Sequence, residues 1–89
     1  MVRLTDGCLC IAYANRNKPH TLRAVFSTDE GMTWGSEYIL RRGAGEPDIG
    51  YTRTAQRPDG KLVTIYYWLD ELRAERYIAA TIWSVPKVD

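Results

Sequence analysis

Short apolar runs rich in β-branched and aromatic residues alternate with clusters of turn formers along the chain. The runs are CLCIAYA (Cys8–Ala14), LRAVFS (Leu22–Ser27), EYIL (Glu37–Leu40), KLVTIYYW (Lys61–Trp68) and RYIAATIW (Arg76–Trp83). Between them stand TDG at 5–7, NRNKP at 15–19, DEG at 29–31, RRGAGEPD at 41–48 and RPDG at 57–60. Runs of this length bounded by such clusters are strand signals, so the pattern predicts an all-β chain. LDELRAER (Leu69–Arg76) holds good helix formers, but so short a helix is not stable alone. It is expected to be a loop with at most one helical turn.

The runs also repeat. VRLTDGCLCIAY (Val2–Tyr13) and QRPDGKLVTIYY (Gln56–Tyr67) superpose with an offset of 53 residues, placing Asp6-Gly7 on Asp59-Gly60 and Leu9 on Leu62. Each is expected to be a hairpin whose Asp-Gly pair supplies the positive φ angles of a tight turn. A polar loop and another strand follow each hairpin, and matching Phe26-Ser27 to Trp83-Ser84 puts the later offset at 57. Short antiparallel strands repeating at this period suggest antiparallel four-stranded β-propeller blades. The first blade is expected over residues 1–40, with strands at Val2–Leu4, Gly7–Ala14, Leu22–Ser27 and Thr33–Leu40. A crossover at 41–49 leads to a second, incomplete blade at 50–89, with strands at Gly50–Gln56, Lys61–Trp68 and Arg76–Ser84.

Composition narrows the functions available. The 89 residues allow one small domain, which buries only roughly 60–65% of the surface its unfolded chain exposes. A large catalytic cleft within one copy is not expected. The 12 basic and 11 acidic residues are scattered and form no basic run, so nucleic acid is not an expected partner. No apolar stretch approaches a membrane span, and the opening MVRLTDG lacks the apolar segment of a signal peptide, so neither membrane nor leader is expected. Cys8 and Cys10, two apart on a strand, share a face and are expected to be small buried hydrophobes. With a single His20 they do not make a metal site, and no cofactor is expected.

The stretch STDEGMTW supplies Ser27, Asp29, Gly31, Thr33 and Trp34 in the spacing S-x-D-x-G-x-T-W. This Asp-box resembles the repeat of the sialidase (neuraminidase) superfamily, the BNR-repeat propeller proteins. Its residues suit a folded turn: Asp29 accepts backbone N–H groups, Ser27 and Thr33 tie the ends, Gly31 takes a conformation that side chains resist, and Trp34 covers the turn. A calcium or catalytic loop would need more ligand oxygens than it has. In an up-and-down blade this turn lies at one end. The NRNKPH loop (Asn15–His20), the crossover (Arg41–Tyr51) and the LDELRAE loop (Leu69–Glu75) gather at the other, where sites are usually built.

The resemblance extends over nearly the whole chain, though to only about two of the six blades of a sialidase-like propeller. It implies a glycoside hydrolase acting on sialic acid or a related terminal sugar. In that family a tyrosine entering the innermost strand, ahead of a Ser or Thr and a later Asp-Gly turn, is the nucleophile, and Tyr51, followed by Thr52 and Asp59-Gly60, matches it. A phenol activated by a base meets less repulsion from the sugar carboxylate than a carboxylate nucleophile would. The family also grips that carboxylate with arginines. Arg42 and Arg53 are the arginines near Tyr51, and Asp48 and Asp70 are loop acids that could contact a sugar.

The pattern departs from the family where a glutamate is expected, since Tyr67 or Trp68 stands there, and the arginine-bearing early blades lie outside these 89 residues. Catalysis by this chain alone is not expected. By its residues alone Tyr51 reads more readily as an aromatic plug near the propeller axis than as a nucleophile, and the chain reads also as a non-catalytic Asp-box module binding carbohydrate or a protein partner. Two incomplete blades leave open sheet edges, which predicts self-association unless the sequence belongs to a longer propeller.

Overall fold

The computed structural model describes residues 1–15, 17, 20–45, 49–69 and 75–85. Among them there is no helix, and seven strands follow in order: β1 (Val2–Arg3), β2 (Leu9–Asn15), β3 (Thr21–Ser27), β4 (Tyr38–Arg41), β5 (Gly50–Gln56), β6 (Leu62–Trp68) and β7 (Tyr77–Trp83). They form two antiparallel sheets, one of four strands in the order β1-β2-β3-β4 and one of three in the order β5-β6-β7. Each strand pairs with its neighbour in sequence, as short connections favour. Most of the segment Leu69–Arg76, expected as a loop, lies outside the described residues.

The repeat extends to individual hydrogen bonds. In the β1–β2 turn, Leu4 N–H donates to Cys8 O (2.8 Å) and Gly7 N–H to Leu4 O (2.9 Å). In the β5–β6 turn, Arg57 N–H donates to Lys61 O (2.7 Å) and Gly60 N–H to Arg57 O (2.9 Å). The Asp6 and Asp59 carboxylates each accept the N–H two residues on, Cys8 and Lys61, at 3.0 Å. Only the glycines take positive φ, +92° at Gly7 and +88° at Gly60. The connection is thus a three-residue loop closed by a left-handed glycine, and the aspartates serve through their side chains.

Pairing corrects the later offset of the repeat. Leu9 pairs with Ser27 and its counterpart Leu62 pairs with Trp83, so Ser27 matches Trp83 and the shift is 56. The expected match to Ser84 is off by one residue, and with a side-chain period of two that slip exchanges the faces of β7. The fourth strand also differs from its expected span. The stretch Thr33–Glu37 stays outside the ladder because Gly35 N–H is held by Phe26 O at 3.0 Å, so β4 begins only at Tyr38.

The two sheets face each other across two apolar clusters. Leu4, Cys10, Phe26 and Leu62 fill the end near the Asp-Gly turns, flanked by Tyr38 and Trp83. Leu22, Ala44, Ile49, Tyr66 and Trp68 fill the other end. Phe26 meets Tyr38 and Trp83 edge-on, both with centroids 5.8 Å apart. The second sheet contributes polar groups to this interior, and they are partnered: Thr54 and Thr64 hydroxyls share a bond of 2.9 Å, and Trp83 Nε1 donates to Thr64 Oγ1 at 3.0 Å. Burial without such partners would be costly.

Candidate functional site

The turn between β3 and β4 is built on Asp29. Its carboxylate accepts Thr33 N–H (2.9 Å), the Thr33 hydroxyl and the Ser27 hydroxyl (2.7 Å), while Gly31 N–H donates to Ser27 Oγ (2.9 Å). The Thr33 side chain first, then Thr33 N–H and the Ser27 hydroxyl, hold the Asp29 carboxyl down at about 2. Gly31 has φ +85°, and a β-carbon there would lie 3.6 Å from the half-buried Trp34 ring and 3.7 Å from Leu9. Asp29 thus directs all these bonds to its own turn. Glu30 beside it pairs with Arg3 at 2.7 Å, tying this turn to the β1–β2 turn. Such an arrangement braces a sheet end and leaves few carboxylate lone pairs for a ligand.

Strand alternation puts Tyr51 at the opposite end, where β2–β3, the crossover and the β6–β7 connection lie. The β5–β6 ladder is irregular between Gly50 and Arg53. Within that bulge Gly50 has φ +111° and Tyr51 has φ +49°, a conformation uncommon for an aromatic residue. The strand also comes close to β2 here: a β-carbon on Gly50 would sit 2.9 Å from Ala14 Cβ. Thr52 anchors the next turn of the pleat by donating to Ala12 O at 2.6 Å. Tyr51 is thereby turned outward, 76% exposed, and its ring stacks on Tyr67 with centroids 5.1 Å apart and planes 18° apart.

Arg53, paired across the ladder with Ile65, lies on the same exposed face as Tyr67 and Tyr51. It also lines a cavity of about 200 Å³ between β1–β2 and β5, together with Val2, Cys10, Ala12, Thr52 and Thr54. Arg42 is exposed beyond the end of β4. Asp48 and Asp70 lie outside the described residues. The structure therefore brings Tyr51, Tyr67 and Arg53 onto one face. Among the described residues no carboxylate bonds the Tyr51 hydroxyl, and no three His, Cys, Asp or Glu side chains converge as a metal cage.

The loop end holds one group that sequence reasoning missed. Arg41, adjacent to Arg42, has its guanidinium carbon 4.7 Å from the Trp68 ring centroid and 5.7 Å from that of Tyr77, and donates to the Tyr77 hydroxyl at 2.6 Å and that of Tyr66 at 3.2 Å. Burial opposes its charge, and the two hydroxyl oxygens outweigh burial, leaving the pKa above the ordinary arginine value. Alternation alone would put Arg41 on the outer face with Ile39. An extra residue on β4, Leu40, leaves Ile39 paired with Arg23 but Arg41 paired with the inward Leu22, and so turns Arg41 toward the second sheet. Such a bulge leaves no mark in the hydrophobic pattern. On the same end His20 Nδ1 is enclosed, with no hydrogen-bond partner among the described residues.

Comparison with protein-family models, with curated proteins and with solved structures finds no match for this chain.

Proposed function

We propose that these residues are about two blades of a sialidase-like Asp-box propeller, whose loop end meets sialic acid or a related terminal sugar as part of a glycoside hydrolase. The observation that supports it most is the setting of Tyr51. It sits on the edge strand β5, in a left-handed conformation with its ring 76% exposed, at the end of the sheet away from the Asp-box. Left-handed side-chain residues cost stability and cluster at functional positions. In this reading the phenol oxygen attacks the anomeric carbon as the glycosidic C–O bond breaks, an acid/base group from elsewhere in the protein takes the phenol proton and protonates the departing aglycone oxygen, water then displaces the sugar from Tyr51 and returns its proton, and Arg53 on the same face pairs with the sugar carboxylate.

One observation favours a second reading, non-catalytic carbohydrate binding. Tyr67 stands near the position where the family has a glutamate, and it stacks flat against Tyr51 at 5.1 Å. Two parallel phenols make an apolar platform for a sugar face and do not activate a nucleophile.

The decisive measurement is release of a fluorogenic sialoside by the full polypeptide carrying these residues, compared with its Tyr51→Phe variant. Under the catalytic reading the variant loses at least a hundredfold in turnover, and equal turnover removes Tyr51 as nucleophile. Glycan-array binding without hydrolysis, weakened by Tyr51→Ala and kept by Tyr51→Phe, selects the second reading.

A further inference from the structure

Tyr51 and Tyr67 are a parallel pair of tyrosine rings, with centroids 5.1 Å and planes 18° apart. Ordinary alternation would not bring them together. Gly50 pairs with Tyr67 and Arg53 with Ile65, so β5 carries one extra residue, and Tyr51 and Thr52 both stand opposite Tyr66. Without that extra residue Tyr51 would point with Tyr66 into the interior; the left-handed backbone at φ +49° instead sends its ring out beside Tyr67. Ring faces touch at about 3.5 Å, so a centroid separation of 5.1 Å is an offset stack in which the edge of one ring lies over the other. Tyr51 is exposed and Tyr67 half-buried, so solvent reaches the pair.

The other tyrosines are engaged differently. Tyr66 is buried, and its hydroxyl bonds Thr81 at 2.6 Å and Arg41 at 3.2 Å. The Tyr77 hydroxyl accepts from Arg41 at 2.6 Å, that of Tyr13 bonds Glu37, and Tyr38 meets Phe26 edge-on. Two phenols held in a stack have the chemistry of a radical coupling pair. Removal of an electron and a proton from a phenol leaves a radical shared between the oxygen and the ring carbons ortho to it. A second phenol radical already in contact combines with it at once. Holding the two rings together replaces an encounter between molecules by one within the chain.

We infer that Tyr51 and Tyr67 are a site of oxidative modification, at which hydrogen peroxide acting through a haem peroxidase, as a source of one-electron oxidation, couples the two rings into dityrosine. Each phenol gives up one electron and one proton, and together these reduce one peroxide to two waters. The two radicals join through a new carbon–carbon bond between positions ortho to the hydroxyls. The ring hydrogens at those positions then move to the oxygens, which restores both phenols. Tyr51, exposed on the edge strand, has room to swing its ring edge-on to Tyr67 and form that bond. The product ties β5 to β6 across the bulge and takes the Tyr51 ring out of its stacked position. The coupling goes beyond the sugar-binding reading and does not depend on it.

The test treats the 89-residue chain with peroxide and a haem peroxidase, at a dilution where encounters between copies are rare. The intact mass is expected to fall by two hydrogen atoms while the chain stays single, and dityrosine fluorescence is expected to appear. Trypsin is expected to release peptides 43–53 and 62–73 joined, with fragmentation placing the bond at Tyr51 and Tyr67. The yield per chain is expected to be unchanged on further dilution, and to fall roughly tenfold or more in Tyr51→Phe and in Tyr67→Phe while Tyr13→Phe keeps it. These substitutions remove only a hydroxyl, and far-ultraviolet circular dichroism checks each fold. A bond that maps to another pair of tyrosines, a yield that falls with dilution, an undiminished yield in Tyr67→Phe, or no dityrosine under conditions that couple free tyrosine, overturns the proposal. Should a variant not fold, the crosslink map of the native chain decides by itself.

Discussion

Replacing Gly50 by alanine tests the contact that sets the loop end. The new β-carbon would lie 2.9 Å from Ala14 Cβ, whereas carbons in contact rest at about 3.5–4.0 Å. Forcing such an atom into packed surroundings costs about 1–3 kcal/mol. Holding a residue with a side chain at φ +111° adds a further ~1–3 kcal/mol. The two together give about 2–6 kcal/mol, against a total stability of ~4–13 kcal/mol for a chain of this length. At ~4–8 °C per kcal/mol for a small domain, Gly50→Ala is expected to lower Tm by at least ~8 °C. The assay is thermal unfolding followed by circular dichroism at matched chain concentration, since association would make Tm concentration-dependent. Adding Ala14→Gly separates the two costs: the double variant recovers the steric part, a coupling of about 1–3 kcal/mol in a double-mutant cycle, but not the backbone part. A Gly50→Ala protein melting within ~2 °C of the parent would refute both the close approach of β5 to β2 and the left-handed backbone that turns Tyr51 outward.

Three further outcomes are expected. The Asp29 carboxyl is depressed to about 2, so its contribution is complete above the unfolded carboxylate range and disappears as pH falls from about 4 through 2. The gap in urea midpoint between the native chain and Asp29→Asn is therefore large at pH 6 and closes below pH 2.5, and a gap unchanged with pH would count against the hydrogen-bonded turn. Burial pushes the Cys10 thiol up to about 11, so a thiol reagent at pH 8 should modify Cys10 only as fast as the chain unfolds, with mass spectrometry locating the label. Trp68 is fully buried, and Trp68→Ala should cost about 3–5 kcal/mol, read as a lowered urea midpoint or outright loss of the unfolding transition.

The two-sheet architecture was legible because its causes are local. The β-branched and aromatic run from Leu62 to Trp68 and Asp-Gly at 6–7 and 59–60 specify hairpins over a few residues, and six of the seven strands fall close to their expected spans. The Asp29 turn was legible for the same reason, since its partners Ser27, Gly31 and Thr33 lie within four residues. Tyr51 could be singled out by its place before a strand, but not its left-handed backbone or its stacking on Tyr67.

What the amino-acid order alone determined is the set of strands, their turns and the approximate repeat, because each depends on hydrogen bonds and side-chain alternation between near neighbours. Tertiary structure decided which face each strand presents. The shift of 56 rather than 57 in β7, and the irregularity that turns Arg41 inward, are one-residue differences in cross-strand pairing. With a side-chain period of two, one residue exchanges inside for outside. The ladder fixes that choice only when the partner strand and the opposing sheet are in place, so Arg41 and the stacked tyrosines became visible as a pattern only in the folded chain.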